Sequence, residues 1–293
     1  MLFRLLLAVV AAATIAYADP VPALGGVETL ESAIAFFKAK KYPEARAALE
    51  RITAAEPKNS AACYYLGQTL LRRGDERALA DAVPWLEKAA TLDPRNGDYL
   101  ADYGGASLQL ANRSRSLSAA TRGRDAMEKS LAINPANLDA REGLFQFYAR
   151  APWPIGSSAK AAAQLEEIRK LDPARATALT VLAKANARDY AAAFQLCEEV
   201  LARNPDDYTA LYHYGRTADV SGQNLERGLA RLQRSLQLKP PGPASPTHSH
   251  AWFRIGAIQE KLHHPDEARA AYASALKLDP SNRQASDALA KLK

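Results

Sequence analysis

Prolines recur along the chain at nearly even intervals, and most of them end a stretch that is rich in alanine and leucine. They occupy positions 57, 94, 135, 173, 205, 240 and 280, with spacings of 37, 41, 38, 32, 35 and 40 residues. Because proline lacks an N–H group and disfavours the helical conformation in the residue before it, each proline predicts a helix end. Turn and capping residues between the prolines, such as Asp189-Tyr190 and His264-Pro265, divide each interval into two predicted helices.

The amino-acid composition indicates helices throughout. Alanine and leucine account for 61 and 37 of the 293 residues, whereas valine and isoleucine together number 16. Since alanine and leucine favour helices and β-branched residues favour strands, a fold based on sheets is excluded. A helical pair that repeats with a period in the thirties cannot bury its apolar face alone. Consecutive pairs are therefore predicted to stack into an all-α solenoid.

The first 18 residues have the pattern of a secretory signal peptide. Arg4 is followed by an unbroken apolar run over residues 5–13, and Ala16-Tyr17-Ala18 precedes Asp19 as a small-residue cleavage site. The largely apolar stretch ends at residue 18 and is shorter than the ~20 residues that a membrane-spanning helix needs. We therefore expect export to the periplasm, or secretion, with residues 19–25 as a linker and no stable membrane insertion after cleavage. An uncleaved anchor is the alternative.

The repeated pairs resemble the tetratricopeptide repeat, a helix–turn–helix unit of about 34 residues. The last pair carries the resemblance best, with small, bulky and helix-breaking residues at the spacing of the family: Trp252, Ile255, Gly256, Ala268, Tyr272, Ala275 and Pro280. The resemblance implies a right-handed α-solenoid of about seven repeats, at residues 26–59, 60–96, 97–136, 137–173, 174–207, 208–241 and 248–280. A C-terminal capping helix at residues 281–293 would follow, and a protein or peptide partner would bind in the concave groove.

Small residues in this pattern predict close contacts between paired helices. Gly67 and Gly256 lack a side chain that would hold the paired helix away. Leu86 and Tyr272, on the second helix of the same pairs, are expected to fill the space beside these glycines.

No residue pattern indicates catalysis, a metal site or a cofactor. The motifs of nucleotide-binding loops, serine hydrolases and zinc proteases are absent from the sequence. Cys63 and Cys197 lie in separate predicted repeats and are expected to be small buried side chains. His250 and His264 are separated by ~21 Å of helix, and His248 with His250 supplies only two ligands where zinc needs three or four. We expect a non-enzymatic protein without a cofactor; a hydrolase that uses the histidines is the remote alternative.

Aromatic and arginine side chains at the inward positions of the predicted first helices form the candidate partner site. Such residues supply most of the binding energy at protein interfaces. The candidates are Tyr64, Gln68, Arg72, Leu108, Phe147, Tyr148, Arg175, Tyr212, Arg216, His250 and Phe253. The alternative for about half of them is packing between repeats, because a predicted helix register can shift by a residue or two.

The third and fourth repeats contain extra residues with unusual side chains. Residues 112–124 form a predicted exposed turn with four arginines and no acid: Arg113, Arg115, Arg122 and Arg124. Such a turn would attract an anionic polymer such as envelope polysaccharide, which is the second candidate function; a solubilising role is the alternative. Nucleic acid is not an expected partner of an exported protein. The turn at residues 151–158 carries Trp153 and Ile155, which are expected to dock on the solenoid itself or on a partner.

Overall fold

Fifteen α-helices follow one another along the described part of the chain, which contains no strand. The computed structural model describes residues 29–73, 75, 77–151, 155–242 and 245–292; the predicted signal peptide, the linker at 19–25 and Trp153 lie outside the described residues. Among the described helices, none has the run of apolar residues that a bilayer crossing would need. The helices are α1 (Leu30–Lys38), α2 (Tyr42–Ala55), α3 (Ser60–Leu71), α4 (Ala78–Leu92), α5 (Gly97–Ser114), α6 (Leu117–Ile133), α7 (Leu138–Arg150), α8 (Ser158–Leu171), α9 (Pro173–Asn186), α10 (Tyr190–Arg203), α11 (Tyr208–Ser221), α12 (Leu225–Ser235), α13 (His248–Lys261), α14 (Pro265–Leu278) and α15 (Arg283–Lys291).

Consecutive helices form pairs, and the pairs stack in chain order. α1 packs against α2, α3 against α4, and so on to α13 and α14, while other substantial contacts join helices one or two places apart. The apolar core is accordingly a row of clusters, most of them shared by neighbouring pairs. This arrangement confirms the prediction of an all-α helical repeat solenoid, with seven pairs and a final helix in the described residues.

The same kind of capping residue begins four of the seven first helices and the final helix. In α3, α5, α7, α11 and α15, an asparagine or aspartate two residues after a proline accepts a hydrogen bond from a backbone N–H of the first turn. These caps are Asn59, Asn96, Asn137, Asp207 and Asn282. Each satisfies an N–H group that the start of a helix leaves without a partner. The proline thus ends one pair, and the cap starts the next helix.

Glycines in the first helices allow the paired helix to approach closely, as expected. A Cβ atom placed on Gly67 would lie 2.8 Å from the Leu86 side chain, and one on Gly256 would lie 2.5 Å from the Tyr272 ring. Leu86 and Tyr272 are almost completely buried. The missing side chain of each glycine is therefore the space that the bulky residue fills.

The third pair differs from the prediction of an exposed basic turn. α5 has 18 residues and α6 has 17, so only Arg115 and Ser116 separate them. No proline or glycine lies between residues 106 and 122 to end either helix earlier, and the extra residues lengthen both helices. Arg115 has the left-handed backbone conformation with φ 55°. Arg113 therefore belongs to α5, and Arg122 and Arg124 belong to α6.

The C-terminal helix covers the open end of the last pair. Ala285 is buried in a cluster with Ala268 and Tyr272, and Leu289 and Leu292 pack around the same cluster. The helix thereby shields from water the apolar surface that a further repeat would cover. Terminal helices of solenoids generally have this role.

Replacing Gly215 with alanine should destabilise the protein. The new methyl group would meet Leu232 and the backbone of Gly228 at less than contact distance, and we expect a loss of ~1–3 kcal/mol in the free energy of unfolding. Gly105→Ala is the matched control, because a Cβ there meets only Met127, at 3.8 Å. It should stabilise by ~0.5–1 kcal/mol through helix propensity. Urea denaturation measures both changes, and a Gly215→Ala variant as stable as the wild type would contradict this packing.

Candidate functional site

A cavity of about 600 Å³ opens along the first helices of the third, fourth and fifth pairs. α5, α7 and α9 form its walls, the start of α6 contributes one edge, and the loop after α7 closes another side. α5 extends furthest, with 18 residues against 13 in α7 and 14 in α9. The volume lies within the range of sites that hold a small molecule or a bulky side chain.

The floor of this cavity is apolar. Phe147 is buried, Leu108 and Ile155 are half-buried, and Leu117 is 59% exposed, so apolar surface continues from the packed interior to the mouth. Ile155 therefore docks on the solenoid itself, which is one of the two outcomes expected for its loop. The complete apolar lining is Leu108, Ala111, Leu117, Ala120, Met127, Phe147, Ala151 and Ile155.

One wall carries an ion-pair network between α7 and α9. The Arg175 guanidinium donates to Asp139 Oδ1 at 2.5 Å and pairs with Glu142 Oε2 at 2.7 Å. The Arg175 side chain is only 18% exposed, so water is partly excluded from its guanidinium group. Opposite charges attract each other more strongly there than at the open surface. Both carboxylates of the wall are thus already engaged by a cation of the chain.

Two arginines at the mouth of the cavity have no such partner. Arg115, in the turn after α5, and Arg150, the last residue of α7, both line the cavity and are exposed. Neither side chain makes a hydrogen bond or an ion pair within the part of the chain that the structure describes. The lining as a whole contains three arginines against two acids.

The structure brings together three of the predicted partner residues. Leu108, Phe147 and Arg175 all line the cavity, although they come from three successive first helices. Arg115, predicted as part of a basic turn, joins them at the mouth.

Tyr64 and Gln68 lie one pair earlier and are bonded to the next first helix. The Tyr64 hydroxyl donates to Asp102 Oδ2 at 2.6 Å, and the Gln68 amide donates to the same oxygen at 2.7 Å. Burial raises the pKa of the Asp102 carboxyl. These bonds tie α3 to α5, so the two predicted residues have a structural partner, while Arg72 is exposed at the end of α3.

Tyr148 and Tyr212, which were predicted as groove residues, are buried in the core and do not line the cavity. Tyr148 is 5% exposed and Tyr212 is 4% exposed. The Tyr148 hydroxyl donates to Glu128 at 2.5 Å, and burial followed by this contact raises its pKa to about 12. Glu128 belongs to α6, so the Tyr148 hydroxyl points towards the second helix of the preceding pair, whereas Phe147, the residue before it, lines the cavity. Tyr212 belongs to a core cluster that includes residues of α13.

Several cavity residues that the prediction missed lie on one face of α7. Asp139, Glu142, Gln146 and Arg150 line the cavity at spacings of three and four residues, which match the helical period. The prediction placed Phe147 and Tyr148 on this face instead.

A second charged cluster lies between α11 and α13. Asp219, 4% exposed, pairs with Arg254 and Lys261, both at 2.6 Å. Arg216 is half-buried near them and makes no ion pair in the described residues. His213 is buried beside these arginines, and its Nδ1 has no hydrogen-bond partner.

His250 and Phe253 serve the fold at the C-terminal end. His250 Nδ1 lies 3.2 Å from the Thr247 backbone N–H in the capping box that begins α13. Phe253 is half-buried with its ring 5.8 Å from the Tyr272 ring, and the Arg254 guanidinium lies over its face at 5.0 Å. Neither residue lines the cavity.

The four arginines of the predicted basic turn lie on α5, on α6 and in the two-residue turn between these helices. Arg122 donates to Ser118 at 2.8 Å along α6, and Arg124 pairs with the neighbouring Asp125 at 2.5 Å. Arg113 occupies the last turn of α5. The uninterrupted helices distribute the four arginines over two elements, and of the four only Arg115 lines the cavity.

The two cysteines are buried and lie outside the lining of the cavity. Cys63 and Cys197 are free and buried, and burial raises the pKa of Cys197 to about 12, so it stays a thiol. Among the described residues, no group of three or more histidine, cysteine, aspartate or glutamate side chains could hold a metal ion. The cavity itself presents apolar surface, side-chain amides and guanidinium groups.

Two sequence profiles of the tetratricopeptide repeat match the chain, one over residues 30–97 and 181–243 and the other over residues 249–282. Together they cover more than half of the 293 residues. The chain belongs to the tetratricopeptide repeat family. Proteins built from these repeats serve as protein–protein interaction scaffolds and are generally not enzymes.

Solved structures of tetratricopeptide repeat proteins share the fold of this chain. A tetratricopeptide repeat protein from Parabacteroides merdae aligns with a TM-score of 0.58 and 15% identity over 90% of this chain and 96% of that one. Yeast Tom70 aligns with a TM-score of 0.62 and 15% identity over 87% of this chain and 51% of that one. At such identities the likeness establishes the fold alone. Among curated proteins, no relative matches this chain.

Acid should destabilise this tetratricopeptide repeat protein through His213. Its pKa is 6.5 in the unfolded chain, whereas burial, together with Arg216 and Arg254, lowers it to about 3 in the folded protein. Below pH 6.5 the unfolded state takes up a proton that the folded state does not, so stability falls as the pH drops from 6.5 to 3.

His213→Phe should show a smaller decline than the wild type in thermal unfolding over this pH range. Phenylalanine keeps a planar ring and removes the Nδ1 that lacks a partner. Parallel declines in the two proteins would show that another group is responsible.

Proposed function

We propose that the chain is a non-enzymatic scaffold that binds a peptide segment of a protein partner in the cavity between α5, α7 and α9. The observation that carries this proposal is the 600 Å³ cavity, which has an apolar floor and a polar rim. Burying one bulky apolar side chain there would contribute ~1.5–3 kcal/mol. The side-chain amides of Gln109, Asn112 and Gln146 line the same space and can bond to the partner's backbone.

The repeat architecture supports a protein partner over a small molecule. First helices stack side by side and offer an extended row of positions to one segment, which is the usual binding surface of helical solenoids. Gln146 and Arg216 occupy the same register, nine residues after the caps Asn137 and Asp207. A bound segment would therefore follow the concave face past the cavity.

The alternative function, binding of an anionic polymer through an arginine-rich turn, has less support. A polymer site needs several cations on one exposed surface, because its attraction depends on summed charge. Arg124 is paired with Asp125, and Arg113 and Arg122 lie on different helices. No contact in the described residues favours the polymer over a peptide.

We also propose that the protein is exported to the periplasm after cleavage behind residue 18. The support is the charged start, the short apolar run and the Ala-Tyr-Ala sequence before Asp19. Mass spectrometry of the protein isolated from its own cells should find Asp19 as the first residue. An intact Met1 in the isolated protein would contradict cleavage.

Filling the cavity should abolish partner binding without unfolding the protein. Gly105 lines the cavity, and a Cβ atom there meets only Met127, at ordinary contact distance. Gly105→Phe places a ring in the space, whereas Gly105→Ala adds one methyl group and leaves most of the space open. Affinity capture from an envelope extract should recover the same proteins with the wild type and Gly105→Ala, and lose them with Gly105→Phe.

The thermal unfolding temperature of both variants provides the control for folding. If Gly105→Phe unfolds at the temperature of the wild type and still captures the same proteins, the partner site lies elsewhere on the solenoid.

A further inference from the structure

We infer that the partner segment is acidic, with one bulky apolar side chain in the cavity and carboxylates next to it that pair with Arg115 and Arg150. This inference rests on the proposed function and names the chemistry of the partner at that same site.

The acidic side chains of the cavity have partners within the chain, whereas two of its arginines do not. Asp139 and Glu142 are both held by Arg175, at 2.5 and 2.7 Å. Arg115 and Arg150 have no partner in the described residues and are exposed at the mouth. A basic segment would meet carboxylates that are already engaged, together with two unpaired cations. An acidic segment would meet two guanidinium groups that are free to form charge-assisted hydrogen bonds.

The positions of these two arginines are fixed by the fold. Arg115 forms the turn between the two longest helices, with the left-handed φ of 55°, and Arg150 ends α7. Both stand at helix C-termini, where the helix dipole favours a cation. The backbone of both residues therefore lies at the mouth, and their guanidinium groups are available to a partner without competition from an acid of their own chain.

The apolar floor sets the second requirement. Leu108, Phe147 and Ile155 offer a surface that only a bulky apolar side chain would cover, and the adjoining arginines stand at its edge. An apolar anchor with carboxylates on either side satisfies both features at once. Purely acidic segments would leave the floor in contact with water.

A separate observation points to the same charge. Arg216 lies further along the first helices, half-buried and without an ion pair in the described residues. A segment that continues from the cavity towards α11 would therefore meet a third arginine without an acidic partner.

Four synthetic peptides of equal length, blocked at both ends, test the inference with the purified full chain. The first has a central phenylalanine flanked by two aspartates on each side. The second carries asparagines and the third carries lysines in place of the aspartates, and the fourth is the aspartate peptide with alanine for phenylalanine. In calorimetric titrations the first peptide should bind on the order of tenfold more tightly than the second and the fourth, and the third should bind least.

Arginine variants assign the effect to the mouth of the cavity. Arg115→Asn with Arg150→Gln should weaken the first peptide about tenfold and remove the difference between aspartate and asparagine peptides. Asparagine accepts the left-handed conformation at residue 115, so the fold is retained. Arg122→Gln, which removes an arginine of α6 that does not line the cavity, is the matched control and should leave all affinities unchanged.

The outcomes separate this inference from the proposed function. Equal affinity for the aspartate and asparagine peptides, retained discrimination in the double variant, or no binding of any of the four peptides would overturn the acidic assignment. If charge has no effect but Gly105→Phe abolishes binding of every peptide that the wild type binds, the cavity remains the binding site and only its charge preference is wrong.

Discussion

The close approach of two helices at a glycine is the contact on which the rest of the structure depends. Gly67 faces Leu86, and Gly256 faces Tyr272, at distances that would not admit a Cβ atom. Interlocked in this way, the two helices of a pair leave one apolar face open, which only the next pair can cover. The core is consequently a chain of clusters instead of a single centre, and the final helix is needed to cover the last of them.

The cavity arises where this regular packing is modified. In the third pair Met127 takes the place that leucine or tyrosine fills elsewhere, and its flexible side chain reaches across to Gly143 of the next pair. The long end of α5 then stands clear of α7, and the space between them is left unfilled. Bulky side chains such as Leu108 and Phe147, which would otherwise pack between repeats, therefore line the bottom of the cavity.

Local signals predicted the fold well and the site only in part. Prolines, caps and glycines act within one repeat, so the sequence alone located the pairs and the contacts of Gly67 and Gly256. The length of α5 was missed because arginine and serine were interpreted as a turn, although neither ends a helix. Tyr148 was expected on the inward face beside Phe147, but a neighbouring residue lies about 100° further around the helix, and Tyr148 is buried. Arg150 was missed although it stands one helical turn beyond Gln146 on α7.

The residues that would recognise a partner and the residues that hold the pairs together are largely different sets. Ala111, Asn112, Arg115 and Leu117 line the cavity from the extra length of the third pair, whereas the glycine contacts lie deeper in the pairs. Substitutions in that extension would alter which segment is accepted at little cost to folding. Evolution could therefore retarget this scaffold by rewriting a single stretch of about ten residues, while every other repeat is left as it is.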